Sequence, residues 1–289
     1  MAHPLFQVIG TSIKRFNDDK CWTSAIVISY FTFLCTVPLV ALFAYIAAKV
    51  LGSSELVFRS LNIFTEEFFA HLEPEFFQKI QGLGASVTNL GLFGLAGSLV
   101  SASFLFSSLI ASMNQIFRTT YHKSFFYNRL MEYVLMFVIG FIMLFSLAIT
   151  AVWTALQRGI RGSAVIAEYF NPKALALVNN VFIQYLIPYA LTFMVFFTLY
   201  KFIPETKVHT RPAAIAAAVG SLFWEVFKRM FAFYVANFSA VGIVLSKLLA
   251  GTLASIIFFL LWISFSLVIM LWGAEFAAVL NERRNAHAA

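Results

Sequence analysis

Glu225, Lys228 and Arg229 sit together inside an otherwise apolar run from Ala213 to Ala236. Spacings of three and four residues put the three side chains on one face of a helix, where the carboxylate can pair with either cation. Counted from Pro212 at ~1.5 Å per residue, Glu225 lies ~20 Å along that helix and the two cations ~24 to 26 Å along it. The carboxylate therefore falls near the middle of a ~30 Å hydrocarbon layer. An ionisable group at that depth costs roughly 3 kcal/mol on insertion scales, so it is kept for a reason. Two chemistries fit: a site for a charged solute or a proton, or an ion pair that neutralises itself while both cations extend outward.

Pro38 and Pro188 give a second signal, since each interrupts its apolar run near the middle and the runs are the first and the fourth. Interrupted helices at matching positions of two three-helix halves can mark an inverted repeat with a binding site at the midplane. Proline kinks without such a role are also common in membrane helices. Tyr30, Thr36, Asn179, Asn180, Gln184 and Tyr185 flank the two prolines and could line a polar cavity. A substrate or ion pathway is thus expected at Glu225, Lys228, Arg229, Pro38, Tyr30, Pro188 and Gln184. Asn114, Arg118 and Glu275, near the cytoplasmic ends of their runs, form a second expected group that closes the inner end of the bundle. Gly273, just before Glu275, would allow a neighbouring backbone to approach closely. Separate interfacial anchors are the alternative for these three.

Signatures of enzymatic chemistry are absent from the sequence. There is no H-E-x-x-H, no Gly-rich phosphate loop, no G-x-S-x-G and no cluster of metal-ligand residues at coordinating spacing. His3, His71, His122, His209 and His287 are scattered over loops and termini. Neither an enzyme nor a metal or other cofactor is expected.

The elements that must carry these residues follow from composition. Of the 289 residues 61% are hydrophobic and 11% charged, with a mean hydropathy of +0.85. Soluble domains carry about 25% charge, so water is not this chain's main solvent. Its net charge of +7 is distributed between apolar runs rather than clustered on one face, which argues against a nucleic-acid partner. Six runs near the ~20 residues a bilayer requires are expected to cross it: 23–48, 90–113, 130–155, 178–200, 213–236 and 248–272. The expected architecture is all-α, a single integral membrane domain over 1–289 with six transmembrane helices. Six crossings leave both termini on one side. Eleven basic residues flank that side against seven on the other, which places both termini in the cytoplasm. The first run follows too long an arm for a cleavable leader and is expected to stay as an anchor.

Residues 1–22 read as an interfacial arm, with Leu5, Ile9, Ile13 and Phe16 at helical spacing. Residues 49–89 read as an outer amphipathic segment between the first two crossings. There Ser53 caps a helix striped by Val57, Leu61, Phe64, Phe68 and Leu72, and Pro74 opens a second. Residues 273–289 form a cytoplasmic tail. Small residues recur every fourth position at Gly94, Ser98 and Ala102, at Ala213, Ala217 and Ser221, and at Gly251 and Ser255. Such seams let helices touch in lipid and serve internal packing or a homodimer equally. Cys21 and Cys35 lie ~21 Å apart along a helix, beyond disulfide reach.

Leu199-Tyr200-Lys201-Phe202-Ile203-Pro204, Arg211-Pro212-Ala213-Ala214, Gly220, Trp224-Glu225, Lys228, Phe231, Tyr234, Trp262 and Gly273-Ala274-Glu275 resemble the YihY/BrkB family of bacterial inner-membrane proteins. Ser29-Tyr30, Thr36-Val37-Pro38-Leu39 and Asn114-Gln115-Ile116-Phe117-Arg118 agree with it, so the resemblance spans nearly the whole chain. It implies six helices, cytoplasmic termini and the inner membrane. Labels attached to the family include virulence or serum-resistance factor and, for some members, ribonuclease BN. A nuclease would need metal-binding carboxylates or a His acid/base pair outside the membrane, and the sequence offers neither. The function expected is a secondary transporter or exporter of a small organic or amphipathic solute, osmolyte-like or lipid-precursor-like. Its polar cavity would lie between the first, fourth and fifth helices, with the bilayer and the solute as partners. The alternative is a non-transporting scaffold for envelope machinery.

Overall fold

The computed structural model describes residues 3–51, 91–119, 125–162, 178–237 and 252–288, and these are helical with short connections. In chain order they are α1 (His3–Asp18), α2 (Cys21–Leu51), α3 (Gly91–Ile116), α4 (Phe125–Gly162), a π-helical run (Val178–Leu186) continuing into α5 (Ile187–Phe202), α6 (Thr210–Asn237) and α7 (Thr252–Ala288). Helices α2 to α7 overlap the six runs expected to cross, several of them extending beyond the expected bounds. By length and composition alone, segments of α3, α5 with its π-helical lead, and α7 are long and apolar enough to cross a membrane. The outer segment expected at 49–89 lies, from residue 52 onward, outside the described residues.

α7 is the centre of the bundle, because it packs against α1, α2, α3, α5 and α6. Its sequence makes this possible: Ala274, Ala277 and Ala278 are fully or almost fully buried and let neighbours come close. The α6 seam behaves the same way, with Ala213, Ala217 and Ser221 at 0% exposure. Among the described residues α2 packs chiefly on α3 and α7. This corrects the cavity expected between the first, fourth and fifth crossings: the small-residue face of α7 draws α7, rather than α2, against α6.

Pro38 does not interrupt its helix, since α2 is helical on both sides of it. A proline removes one backbone hydrogen bond, and a helix packed against neighbours can absorb that loss. At Pro188 the helix type does change. The π-helical run ends at Leu186 and Pro188 occupies the first turn of α5, where its missing N–H costs nothing. The matched pair of breaks expected of an inverted repeat is therefore present in the fourth crossing only.

α1 has three faces. Val8, Ser12 and Phe16 are buried, Phe6, Ile9 and Ile13 are exposed in an apolar stripe, and Lys14 and Asn17 point into solvent. A helix docked on the bundle with an uncovered apolar stripe suits the membrane interface. Of the expected apolar stripe, Ile9 and Ile13 lie on this uncovered face and Phe16 is buried on the bundle.

Candidate functional site

Two charged centres emerge. In the first, one turn of α6 brings Lys228 Nζ to 2.9 Å from Glu225 Oε1 and Arg229 Nη2 to 3.7 Å from Oε2. Glu225 is 3% exposed, and its Oε2 is buried without a hydrogen bond among the described residues. The cations are much more open, at 34% and 48% of their side chains. Aromatic rings steady both: Lys228 lies 5.0 Å from the Trp224 ring and Arg229 4.3 Å from the Tyr185 ring. Tyr185 belongs to the π-helical run, so the fourth and fifth crossings meet at this charge. One carboxylate against two cations leaves a net positive charge inside an apolar helix.

Of the other expected pathway residues, Tyr30 is 55% exposed on α2 and packs edge-on against Phe31. Pro188 begins α5 near Tyr189, whose hydroxyl donates to Ala218 O on α6 at 3.1 Å. Gln184 lies within the π-helical run, and the side chains of Gln184 and Pro38 fall outside the described residues.

The second centre forms at the end of the bundle where α1 meets the last turns of α7. α7 has 37 residues and is ~55 Å long, so it projects well past a ~30 Å apolar layer. Glu275 lies beyond the apolar run that ends at Trp272, yet it is completely buried. Cys21 Sγ reaches its Oε1 at 3.8 Å. Its Oε2 and Asp19 Oδ2 are both buried without a donor among the described residues. A second carboxyl group beside it disfavours the charged form of Glu275. Burial first, then the Asp19 bond and charge, push Glu275 up to about 8, against smaller pulls from Arg15 and Arg118. Burial and the same carboxylates push the Cys21 thiol up to about 12, which makes it unreactive. Arg15 forks onto Glu282 at 2.9 and 2.6 Å, and that bond raises its already high pKa further.

Arg118 and Asn114 are near this centre but are used differently from the cluster expected. α3 ends in a reciprocal cap, with Arg118 N on Gln115 O at 3.0 Å and Thr119 N on Asn114 O at 3.1 Å. The turn requires a left-handed residue, and Arg118 supplies it at φ 50 where glycine is usual. Asn114 Oδ1 accepts from Glu205 N at 3.1 Å, tying α3 to the α5–α6 connection. Asn281 on α7 fastens the same connection, accepting from His209 N at 2.9 Å. Gln115 Nε2 donates to Asp19 O at 2.8 Å. The three expected residues thus lie around one end of the bundle, and only Arg118 acts electrically on Glu275.

Gly273 does admit a close neighbour, though it is a side chain rather than a backbone. Tyr200, fully buried, donates from its hydroxyl to Met270 O at 2.8 Å and lies against Gly273 and Gly220.

A further charged group went unread in the sequence. Glu132, two residues inside the expected third crossing, is 3% exposed and pairs with Arg129 at 2.7 Å and Ser103 at 2.7 Å. Its place at the edge of the apolar run hid it; a carboxylate three residues after an arginine was the available signal. Among the described residues, no group of three or more His, Cys, Asp or Glu is placed to hold a metal.

The family model described as virulence factor BrkB matches residues 12–289. Among curated proteins the chain is similar to a UPF0761 membrane protein of Alteromonas mediterranea, 27% identical over 98% of this chain and 90% of the relative. A UPF0761 membrane protein of Aeromonas salmonicida is 28% identical over 93% of this chain and 87% of its own length. One of Acinetobacter baylyi is 27% identical over 96% of this chain but only 62% of its own length. No solved structure matches the chain.

Proposed function

The chain belongs to the virulence factor BrkB family, and on that premise we propose that it is a secondary transporter or exporter of a small organic or amphipathic solute, osmolyte-like or lipid-precursor-like. The observation that carries this reading is Glu225: a buried carboxylate on the largely apolar helix α6, with one oxygen held by Lys228 and the other without a hydrogen bond among the described residues. A purely structural ion pair saves most when both oxygens are satisfied. Here the site keeps an unfilled acceptor beside two partly open cations, which is what a solute or proton exchanging onto the site would use. Trp224 and Tyr185 hold the cations in place while the carboxylate changes partner. The pathway follows α5, α6 and α7, the helices that pack around this face. We place the protein in the bacterial inner membrane with both termini cytoplasmic, on the excess of eleven basic residues over seven on the terminal side. No enzymatic step is assigned.

A second reading, a non-transporting scaffold for envelope machinery, is favoured by the closure around Glu225. The two cavities described here are an apolar cleft of about 300 Å³ and a polar one of about 500 Å³, and Glu225 lines neither. Thiol accessibility separates the readings. Ser221 lies one helical turn from Glu225 and is fully buried. In a background with Cys21 and Cys35 replaced, Ser221→Cys should react with an impermeant maleimide at a rate that changes when solute is added. A thiol inert from both sides under all solutes would favour the scaffold.

A further inference from the structure

The polar cavity of about 500 Å³ lies between α3 and α4, away from Glu225. Its volume falls within the range of small-molecule sites, roughly 300 to 1,000 Å³. It is an open groove: Ser107, Ala111, Gln115 and Arg118 line it as exposed residues, Asn114 and Thr119 are half-buried, and Glu132 is its buried polar wall. Ser107 is nine residues before the end of α3 and Glu132 seven after the start of α4. At 1.5 Å per residue the cavity therefore reaches ~10 to 14 Å inward from the helix ends.

Glu132 is the buried polar group that this cavity exposes. Its carboxylate has 4% exposure, and the bonds from Ser103 Oγ and Arg129 Nη1, each 2.7 Å, both fall on Oε2. Among the described residues no hydrogen bond reaches Oε1. On its open side stands Arg118, exposed and carried on a left-handed backbone at φ 50. The cavity therefore offers an anionic acceptor inside and a guanidinium donor outside. A simple anion would meet Glu132, and a simple cation would meet Arg118 and Arg129. A molecule bearing both charges meets neither conflict.

We propose that this cavity binds a zwitterion, with its ammonium group inward at Glu132 and its phosphate or carboxylate at Arg118. The same chemistry is presented by a phosphoethanolamine lipid headgroup and by the free solute, and the proposal does not depend on the transport reading.

Two arms test it with the full-length protein. In a nonionic detergent, calorimetric titration with O-phosphoethanolamine should show saturable binding if the ligand is a free solute. In nanodiscs, adding phosphatidylethanolamine to phosphatidylglycerol should raise the thermal midpoint if the ligand is a headgroup. Glu132→Gln keeps the side-chain volume and an acceptor for Ser103, and Arg118→Gln alters an exposed side chain whose charge also reaches Glu275, so each variant's midpoint is compared with and without phosphatidylethanolamine. Each should weaken the positive arm about tenfold or abolish its shift, as expected for a lost charged hydrogen bond. Should Glu132→Gln fail to fold, Arg118→Gln alone decides. Absence of both signals in the wild type, or signals that Arg118→Gln leaves unchanged, overturns the proposal.

Discussion

Gly273→Ala is the smallest substitution that should do large damage. An added Cβ would stand 2.3 Å from Tyr200 Oη, 3.1 Å from Cζ and 3.4 Å from Cε2. An ordinary contact needs about 3.5 Å, so the ring must retreat by roughly 1 Å. It has little room, because Tyr200 is fully buried and its hydroxyl also lies 3.3 Å from where a Cβ on Gly220 would be. Retreat stretches the bond to Met270 O, now 2.8 Å. Overpacking costs about 1 to 3 kcal/mol and the lost hydrogen bond about 1, giving a destabilisation of about 2 to 4 kcal/mol. Tyr200→Phe alone should cost about 1 kcal/mol, since Met270 O keeps its helical partner. In that background the nearest atom to the new methyl becomes the ring carbon at 3.1 Å, and Gly273→Ala should become mild. Detergent-denaturation midpoints of the two single variants and the double variant give the coupling, expected at 1 to 2 kcal/mol. Additivity within about 0.5 kcal/mol would refute the steric account.

Glu275 makes stability depend on pH. Its folded pKa, about 8, lies above the ordinary carboxyl value of 4.5, so between those limits the folded state holds a proton that the unfolded state has released. Stability should therefore fall as pH rises from about 5 to 8, by a few kcal/mol at most, and Glu275→Gln should flatten the melting profile over that window. A wild-type profile that rises across it would contradict the raised Glu275 value. Lys20 is left-handed at φ 53, so Lys20→Gly should raise the thermal midpoint, by about 0.5 to 1 kcal/mol in stability. Glu282→Gln breaks the Arg15 fork, but with Glu282 46% exposed the loss should stay below about 1 kcal/mol.

The helices were legible because bilayer thickness imposes a length on each apolar run, and the α6 seam because small residues at every fourth position have few other uses. The pairing of Glu225 with Lys228 and Arg229 was legible for a similar reason, as helix geometry alone brings residues three and four apart together. What the sequence hid was contact between distant segments. Asp19 and Glu275 come together only because α1 docks on the end of α7, and Asn114 finds Glu205 across a connection whose path no local pattern encodes. Glu132 was hidden differently, as a charge at a run's edge that only the packing of α3 buries. Pro38 misled because a proline's local cost says nothing of the neighbours that hold a helix together.

Flux through the purified protein tests the central claim most directly. Proteoliposomes carrying the wild type should exchange at least one zwitterionic, anionic or amphipathic solute from a counterflow panel faster than protein-free vesicles. Glu225→Gln should abolish that exchange while keeping the wild-type elution profile and melting transition. Exchange that proceeds equally well with Glu225→Gln would show that the carboxylate serves only to pair Lys228 and Arg229. Exchange at the protein-free rate for every solute would contradict transport itself.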